Sequence, residues 1–196
     1  MPMGEAVTSR GRDRRQRLLR ATADLVAARG YHAVGVAEIG AAAGVTGAAI
    51  YRHFGTKLDL LVALMDQVVD DLLACAEAAA MTENPLESLI QSHVEFALRD
   101  RAIIGVYDQE SHNLPTADLR RLRRKQRAYV EQWVAALRRV RPSQAPGTAL
   151  AQVHATFGLL NSVSDFPSPI PDDDLSLLLV GMARAALLTP SQKKAS

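Results

Sequence analysis

The chain has 196 residues and too few cysteines for a fold held by disulfides or by a cysteine-bound zinc ion. Its one cysteine, Cys75, has no partner for a disulfide within the chain, and one thiol is too few for a zinc site. The absence of a disulfide framework suits a reducing compartment. Cys75 falls between apolar residues at helical spacing, so we expect a buried, inert side chain. A redox sensor is the alternative.

Long apolar runs are also missing. No stretch of about 18 apolar residues occurs, and the first residues are polar and rich in arginine. We therefore expect no membrane span, no signal peptide and a cytoplasmic location.

The net charge is only +2, which excludes a chain that is polycationic throughout. Positive charge is nevertheless concentrated near the start, where several arginines stand around a single acidic residue, Asp13. These arginines are Arg10, Arg12, Arg14, Arg15, Arg17 and Arg20. A local basic patch of this kind predicts an anionic polymer as partner.

Aromatic residues make up only 5% of the chain, and no segment has the alternating pattern of a strand. Apolar residues recur instead at intervals of three and four, which predicts an all-α fold of about nine helices. The predicted helices cover about 10–29, 36–43, 47–53, 56–80, a stretch following Pro85, 102–110, 116–139, 148–163 and 172–188. Three prolines between residues 166 and 171 predict an irregular segment before the last helix.

The most informative stretch runs from Gly35 to Leu61 and predicts two short helices around a tight turn. Gly44 can take the positive φ that the reversal needs, Thr46 can cap the second helix, and Thr56 can cap the helix that follows. Ile50 and Phe54, four residues apart, would hold that helix to the core. A helix-turn-helix at about residues 35–54 would place its second helix in the major groove of DNA. On spacing alone, an ordinary helical hairpin stays open.

The residues of this stretch resemble the TetR family of bacterial one-component repressors. The matching residues, in order, are Gly30–Tyr31, Ile39, Ala43–Gly44–Val45, Ile50–Tyr51–Arg52–His53–Phe54 and Lys57. The resemblance is specific from Leu18 to Leu64 and diffuse beyond. It implies an N-terminal three-helix DNA-binding domain at 10–55 and a C-terminal ligand-sensing and dimerisation domain at 56–190. Residues 1–9 and 191–196 are expected to be disordered tails.

The resemblance also implies partners and site residues. The partners are a palindromic double-stranded operator, a second copy of the chain and a small hydrophobic inducer. Thr46, Gly47 and Ala48 would enter the major groove. Tyr51, His53 and Lys57 would contact phosphates, and Tyr31 would pack near the corner between the first two helices. Arg52 and the N-terminal Arg12 and Arg14 complete the expected DNA interface.

Three glycines depart from the family pattern. Gly35 replaces the usual serine or threonine before the second helix, Gly40 the usual alanine, and Gly47 a residue that is often polar. Direct reading of bases by side chains is therefore expected to be sparse.

The sensor half gives weaker signals. Polar and aromatic residues scattered among apolar helical positions suggest a largely apolar pocket with a few orienting groups. The candidates are His93, Phe96, Tyr107, Glu110, His112, Asn113, Arg120, Arg124, Trp133, His154, Phe157 and Asn161. For each of them, a packed core residue is the alternative.

The stretch 106–115 and the basic run after it resemble TetR regulators of lipid catabolism, which implies an acyl-CoA inducer. The run comprises Arg120, Arg121, Arg123, Arg124, Lys125 and Arg127. Guanidinium groups pair well with phosphates. A solvated helix face is the alternative, and an uncharged metabolite is the competing ligand.

The last two helices carry more apolar residues than they can hide alone, so we expect them to form the dimer interface. The expected contacts are Val153, Phe157, Leu160, Leu175, Leu178, Leu179 and Met182. No metalloprotease or nucleophile motif is present, so we expect no enzyme, no metal and no cofactor. A DNA-binding factor without an inducer remains the alternative function.

Overall fold

A computed structural model describes residues 4–190, with side chains throughout except those of residues 4–10, Arg12, Arg52 and His53. Within this range the chain forms nine α-helices and no strand, which confirms the all-α prediction. They are α1 (Gly4–Arg29), α2 (Val36–Ala43), α3 (Gly47–Phe54), α4 (Lys57–Ala80), α5 (Pro85–Arg99), α6 (Arg101–Glu110), α7 (Thr116–Val140), α8 (Pro146–Asn161) and α9 (Asp172–Leu188). Short 3₁₀ turns follow α6 at Ser111–Asn113 and α8 at Ser162–Ser164. None of the described helices is both long and apolar enough to cross a membrane.

Local signals place the helix ends around the predicted turn. Gly44 ends α2 with φ 68°, a left-handed conformation that costs glycine little. Thr46 caps α3 by accepting the N–H of Ala49 at 3.2 Å. Thr56 and Asp59 form a reciprocal capping box at the start of α4, since each side chain accepts the other residue's backbone N–H. Gly44, Thr46 and Thr56 thus have the roles that the sequence predicted.

Two predicted boundaries and one predicted burial are wrong. Helix α1 begins at Gly4, so residues 4–9 are helical, while 1–3 and 191–196 lie outside the described residues. Pro146, assigned to a loop, starts α8, where its missing N–H and fixed φ suit a first helical turn. Cys75 is exposed, because α4 turns Ala76 and Ala79 toward the core instead.

The helices share two apolar cores. The first joins α1–α3, which we call the head, to the first half of α4, to α6 and to the start of α7. The second lies among α5, α7, α8 and α9, with Trp133 at its centre. Leu60, Leu61 and Ile103 are buried against the head, although the predicted boundary at residue 55 assigns them to the sensor half. The head therefore rests on α4 and α6 through continuous packing and is not linked to them by a flexible tether.

Gly40 allows the closest backbone approach in the head. A Cβ atom on Gly40 would lie 2.7 Å from the carbonyl oxygen of Val45 and 3.2 Å from the backbone nitrogen of Gly47. The turn closes so tightly because Val45 donates its N–H to the carbonyl of Gly40 at 2.8 Å. The glycine that replaces the family's usual alanine is thus required by this turn.

We expect Gly40→Ala to lower the free energy of unfolding by about 1–3 kcal/mol, because backbone atoms must shift to admit the methyl group. The matched control is Gly11→Ala, in the exposed middle of α1, where a Cβ meets nothing within 4 Å. The free energy of unfolding of that variant should rise by roughly 0.5–1 kcal/mol, because alanine has a better helix propensity than glycine. Urea unfolding of both variants checks this, and equal stability of the two would contradict the packing argument.

Candidate DNA interface and ligand cavity

The outer surface of α3 is suited to close contact with a groove of DNA. Ile50 is buried and Phe54 half-buried, which fixes α3 against the head's core. Thr46 and Ala48 are exposed, and Tyr51 is 54% exposed, although it is a large aromatic residue. Short side chains followed by an exposed tyrosine let a helix enter a groove and still reach a phosphate.

Arginines of α1 lie beside α3. Arg14 and Arg15 line a cleft of about 250 Å³ between the two helices, together with Ala49 and Phe54. Arg14 is exposed, as a phosphate-binding side chain must be. The expected contacts Arg12, Arg52 and His53 lie outside the described side chains. A Cβ atom on Gly47 would lie 3.6 Å from the Cα of Ala37, an ordinary contact distance.

Lys57 is engaged within the protein. Its ammonium group donates a hydrogen bond to the carbonyl oxygen of Tyr31 and lies 4.2 Å from the centre of the Tyr31 ring. Burial lowers the pKa of Lys57, with the charge of Glu110 acting in the opposite direction. Lys57, expected to contact a phosphate, is thus half-buried in this structure, with its ammonium group held by the carbonyl and the ring of Tyr31.

Glu110 and Asn113, two predicted pocket residues, lie at the junction with the head instead. Glu110 is buried and accepts the backbone N–H of Tyr31 at 3.1 Å. Its second oxygen accepts from the Asn113 amide at 2.7 Å. This carboxylate therefore connects the end of α6 to the segment that follows α1.

A cavity of about 260 Å³ lies among α4, α5, α6, α7 and α8. Its lining includes six residues that the sequence singled out: His93, Phe96, Tyr107, His154, Phe157 and Asn161. Nine others were missed: Val68, Val69, Leu72, Ile103, Ile104, Asp108, Gln126, Tyr129 and Val130. Most of these are apolar and belong to helical stripes, so periodicity alone cannot distinguish them from closed core. His112, another candidate, is exposed outside the cavity.

His93 forms the polar centre of this cavity. Its Nε2 lies 3.0 Å from Asn161 Oδ1, which only accepts, so Nε2 carries the proton. Its Nδ1 then accepts the Tyr129 hydroxyl proton at 2.9 Å. The ring stacks on Phe157 with centroids 4.9 Å apart. Burial lowers the pKa of His93 to about 4, although the hydrogen bond to Asn161 acts to raise it.

Trp133, a predicted pocket residue, is fully buried behind the cavity wall formed by His93 and Phe157, and it does not line the cavity. Its indole meets Phe157 edge to face with centroids 5.0 Å apart. Such aromatic packing adds to the apolar burial that holds the wall in place. Trp133 therefore supports the cavity and does not provide a ligand contact.

The cavity's charges are unfavourable to an anion. Its lining contains no lysine or arginine, and its carboxylate is that of Asp108, whose pKa is raised by burial and by nearby Asp165. Tyr107 donates its hydroxyl proton to Gln126 at 2.9 Å. An uncharged apolar group fits this environment best.

The basic run on α7 divides into two groups. Arg121 and Lys125 pair with Asp66 of α4, at 2.5 and 2.9 Å. Arg120, Arg123, Arg124 and Arg127 are exposed. Arg120 and Arg124, predicted to bind ligand, do not line the cavity. The charge of Arg123 opposes the rise that burial causes in the pKa of Tyr107, a residue of the cavity lining.

The predicted dimer residues also divide. Val153, Leu160 and Leu175 are buried in the chain's own core, as is Leu179, so their assignment to a surface interface is wrong. Phe157 faces the cavity among α4–α8. Leu178 and Met182 of α9 are exposed, and the neighbouring apolar residues Leu150, Leu177 and Leu188 are exposed as well. Helical periodicity identifies an apolar position but does not tell which neighbour covers it.

Two family models match most of this architecture. Residues 18–64 match the model of bacterial regulatory proteins of the tetR family, and residues 80–167 match a tetracyclin repressor-like C-terminal domain. The chain belongs to the TetR family. The recognised head thus includes the helix-turn-helix of α2 and α3. Most of the cavity lining lies in the recognised C-terminal domain, and Val68, Val69 and Leu72 of α4 precede it.

Relatives of this TetR-family chain include the HTH-type transcriptional activator FasR of Mycolicibacterium smegmatis, 36% identical over 83 residues. That match spans 42% of this chain and 38% of FasR. A TetR-family regulator from Bordetella parapertussis has a TM-score of 0.75 at 21% identity, covering 86% of this chain and 93% of the other. AibR, solved with isovaleryl coenzyme A and operator DNA, has a TM-score of 0.71 at 19% identity, covering 86% and 97%. The two structural likenesses concern the fold.

The buried neutral His93 predicts acid sensitivity. The unfolded chain binds a proton at this histidine below about pH 6.5, while the folded chain resists protonation until about pH 4. The free energy of unfolding should therefore fall as the pH drops from 6.5 toward 4, by roughly 3 kcal/mol from this group. His93→Gln should flatten this part of the pH profile of urea unfolding. Gln91→Ala, at an exposed and non-titrating residue of the same helix, is the control and should leave the slope unchanged.

Proposed function

We propose that this TetR-family chain is a ligand-responsive transcriptional repressor. A homodimer binds a palindromic operator through α3 and leaves it when a compact apolar molecule fills the cavity. The observation that carries this proposal is the shared core: α6 lines the cavity and packs on the head that carries α3. Promoter assays distinguish repression from activation, which is the role stated in the name of FasR.

We expect binding to a selected palindromic duplex to weaken steeply between about 50 and 200 mM salt, because phosphate contacts release counterions. Tyr51→Ala should weaken it further without lowering stability, since the side chain is half-exposed. Fluorescence anisotropy with a duplex selected from random DNA measures both effects. Met81→Ala, at a residue that is 88% exposed and lies just beyond the end of α4, is the control. Salt-independent binding would contradict a phosphate-dominated interface.

The dimer surface follows from exposed apolar side chains on α8 and α9. Leu178 is 50% exposed, and Met182 follows one turn later on the same face. A patch of this kind on terminal helices is typical of an interface between subunits. Two copies would hold their α3 helices at a fixed spacing, as successive major grooves about 34–36 Å apart require.

Leu178→Glu should shift the protein from dimer to monomer at micromolar concentration, because a carboxylate would be buried without a partner. DNA affinity should fall with it. Met81→Glu introduces the same charge at an exposed residue outside this patch and should leave the dimer intact. Light scattering reads the mass of each, and a monomeric unsubstituted protein would refute the dimer proposal.

The ligand's size is limited by the cavity. A volume of about 260 Å³ holds roughly nine water-sized groups at about 30 Å³ each. A short acyl chain fits, whereas the nucleotide of a CoA thioester must remain outside. We assign Arg123 to meet it, since the charge of Arg123 acts on the cavity-lining Tyr107. Isovaleryl coenzyme A, with which AibR was solved, is therefore the first candidate for a CoA thioester ligand.

We expect isovaleryl-CoA and its truncated N-acetylcysteamine thioester both to release the protein from the selected duplex. Arg123→Ala should weaken the response to the CoA thioester about tenfold, through loss of a phosphate contact, and leave the truncated thioester unaffected. Arg124→Ala, on the outer face of α7, is the matched control. If neither thioester releases DNA or shifts the melting temperature, the acyl-CoA hypothesis is rejected. An uncharged metabolite is then the competing hypothesis for the ligand.

A further inference from the structure

Two acidic side chains are buried in the part of the chain that the structure describes, and they stand at opposite ends of α6. Asp100 immediately precedes this helix and is 8% exposed, and Glu110 is its last residue and is 7% exposed. A buried carboxylate is costly without a partner. Each one therefore shows where the helix is held.

Both carboxylates bind the head. Arg20 of α1 donates to Asp100, and its second terminal nitrogen donates to the carbonyl of Arg99 at 3.0 Å. At the other end, the backbone N–H of Tyr31, just beyond α1, donates to Glu110 at 3.1 Å. Thus α6 is fastened to α1 near both of its ends.

Between these two attachments, α6 faces the ligand cavity and the head at once. Ile104 and Tyr107 line the cavity, while Val106 is buried in the head's core. Ile103 contributes to both. With Phe96 it also separates the cavity from a second one of about 330 Å³, which opens beside Arg20 and Asp100. A ligand that displaces α6 therefore acts directly on both attachments.

The attachment at Glu110 continues toward α3. Tyr31 donates its N–H to Glu110, and its carbonyl oxygen accepts from Lys57, the first residue of α4. Lys57 follows the Thr56 cap and is three residues from Phe54, the last residue of α3. Release of Tyr31 thus reaches the turn between α3 and α4 within a few bonds.

We propose that Asp100 and Glu110 are positioning residues that clamp α6 to α1 and transmit the state of the ligand cavity to α3. The proposal rests on the proposed function and deepens it, because it assigns the regulatory connection to α1 and α6. The competing connection is between α4 and α7, through Asp66 with Arg121 and Lys125.

A cavity-filling substitution tests this without the natural ligand. Val130→Trp, on the α7 wall, replaces the ligand with a fixed side chain that presses toward α6. We expect it to lower affinity for the selected duplex at least tenfold and to speed hydrogen exchange at the Tyr31 amide, which Glu110 protects. Leu72→Trp, from the α4 wall, provides a second filling variant, and unfolding curves confirm that each variant is folded. Val130→Ala controls for loss of the valine alone.

The same substitution is then placed in an Asp100→Asn, Glu110→Gln background. Neither residue lines the cavity, so the filling itself is unchanged. Because both clamps are removed in this background, we expect filling to change DNA affinity less than twofold. The matched control is Glu87→Gln, which removes the ion pair between Glu87 of α5 and Arg184 of α9 and touches no part of the head. In that background the tenfold effect should persist.

Three results would overturn the clamp. They are an undiminished effect of filling in the double variant, loss of the effect in Asp66→Asn instead, or no effect of either filling variant in the otherwise unsubstituted chain. Failure of the unsubstituted protein to select any duplex has a different meaning, since it would reject the proposed function itself.

Discussion

The orientation of the head depends on the cost of burying two carboxylates. A carboxylate removed from water needs hydrogen-bond donors, and Asp100 and Glu110 find theirs on α1 and on Tyr31. Arg99 and Asn113 also donate to these carboxylates. The donors Arg20 and Tyr31 belong to the head, while the two acceptors stand at opposite ends of the helix that lines the cavity. Apolar packing alone is non-directional, so these polar contacts give the junction between head and sensor half a defined geometry.

The sequence predicts most of the fold because the helix signals are local. Gly44, Thr46 and Thr56 act through their own backbone or through neighbours three residues away, and these roles are confirmed. The resemblance to the TetR family also predicts the fold of the head, because many residues between 18 and 64 match the family pattern. The prediction fails where a local rule has two outcomes. Pro146 is compatible with a loop or a first helical turn, and α1 continues to Gly4 through a stretch that contains Gly11 but no proline.

The site residues are harder to predict, because partners distant in sequence decide their roles. Glu110 stands 79 residues from Tyr31, and nothing in its own segment indicates that contact. Lys57 matches the family pattern yet binds the Tyr31 carbonyl, 26 residues away. Val153 and Leu178 both read as apolar helical positions, but one is buried in the chain's own core and the other is exposed. Periodicity defines faces, and only the packing of whole helices assigns each face its neighbour.

A small cavity also limits how strong the clamps can be. The best small ligands gain at most about 1.5 kcal/mol per non-hydrogen atom, and most gain far less. Reversing a two-state population from 1:99 to 99:1 requires a difference in affinity worth about 5.5 kcal/mol. A ligand that fits 260 Å³ can supply this only if the clamps cost a few kcal/mol to open. Arg20 meets that condition because its side chain is 45% exposed, so water can replace Asp100 as its partner. Partial exposure of the donor is therefore what makes a buried carboxylate usable as a switch.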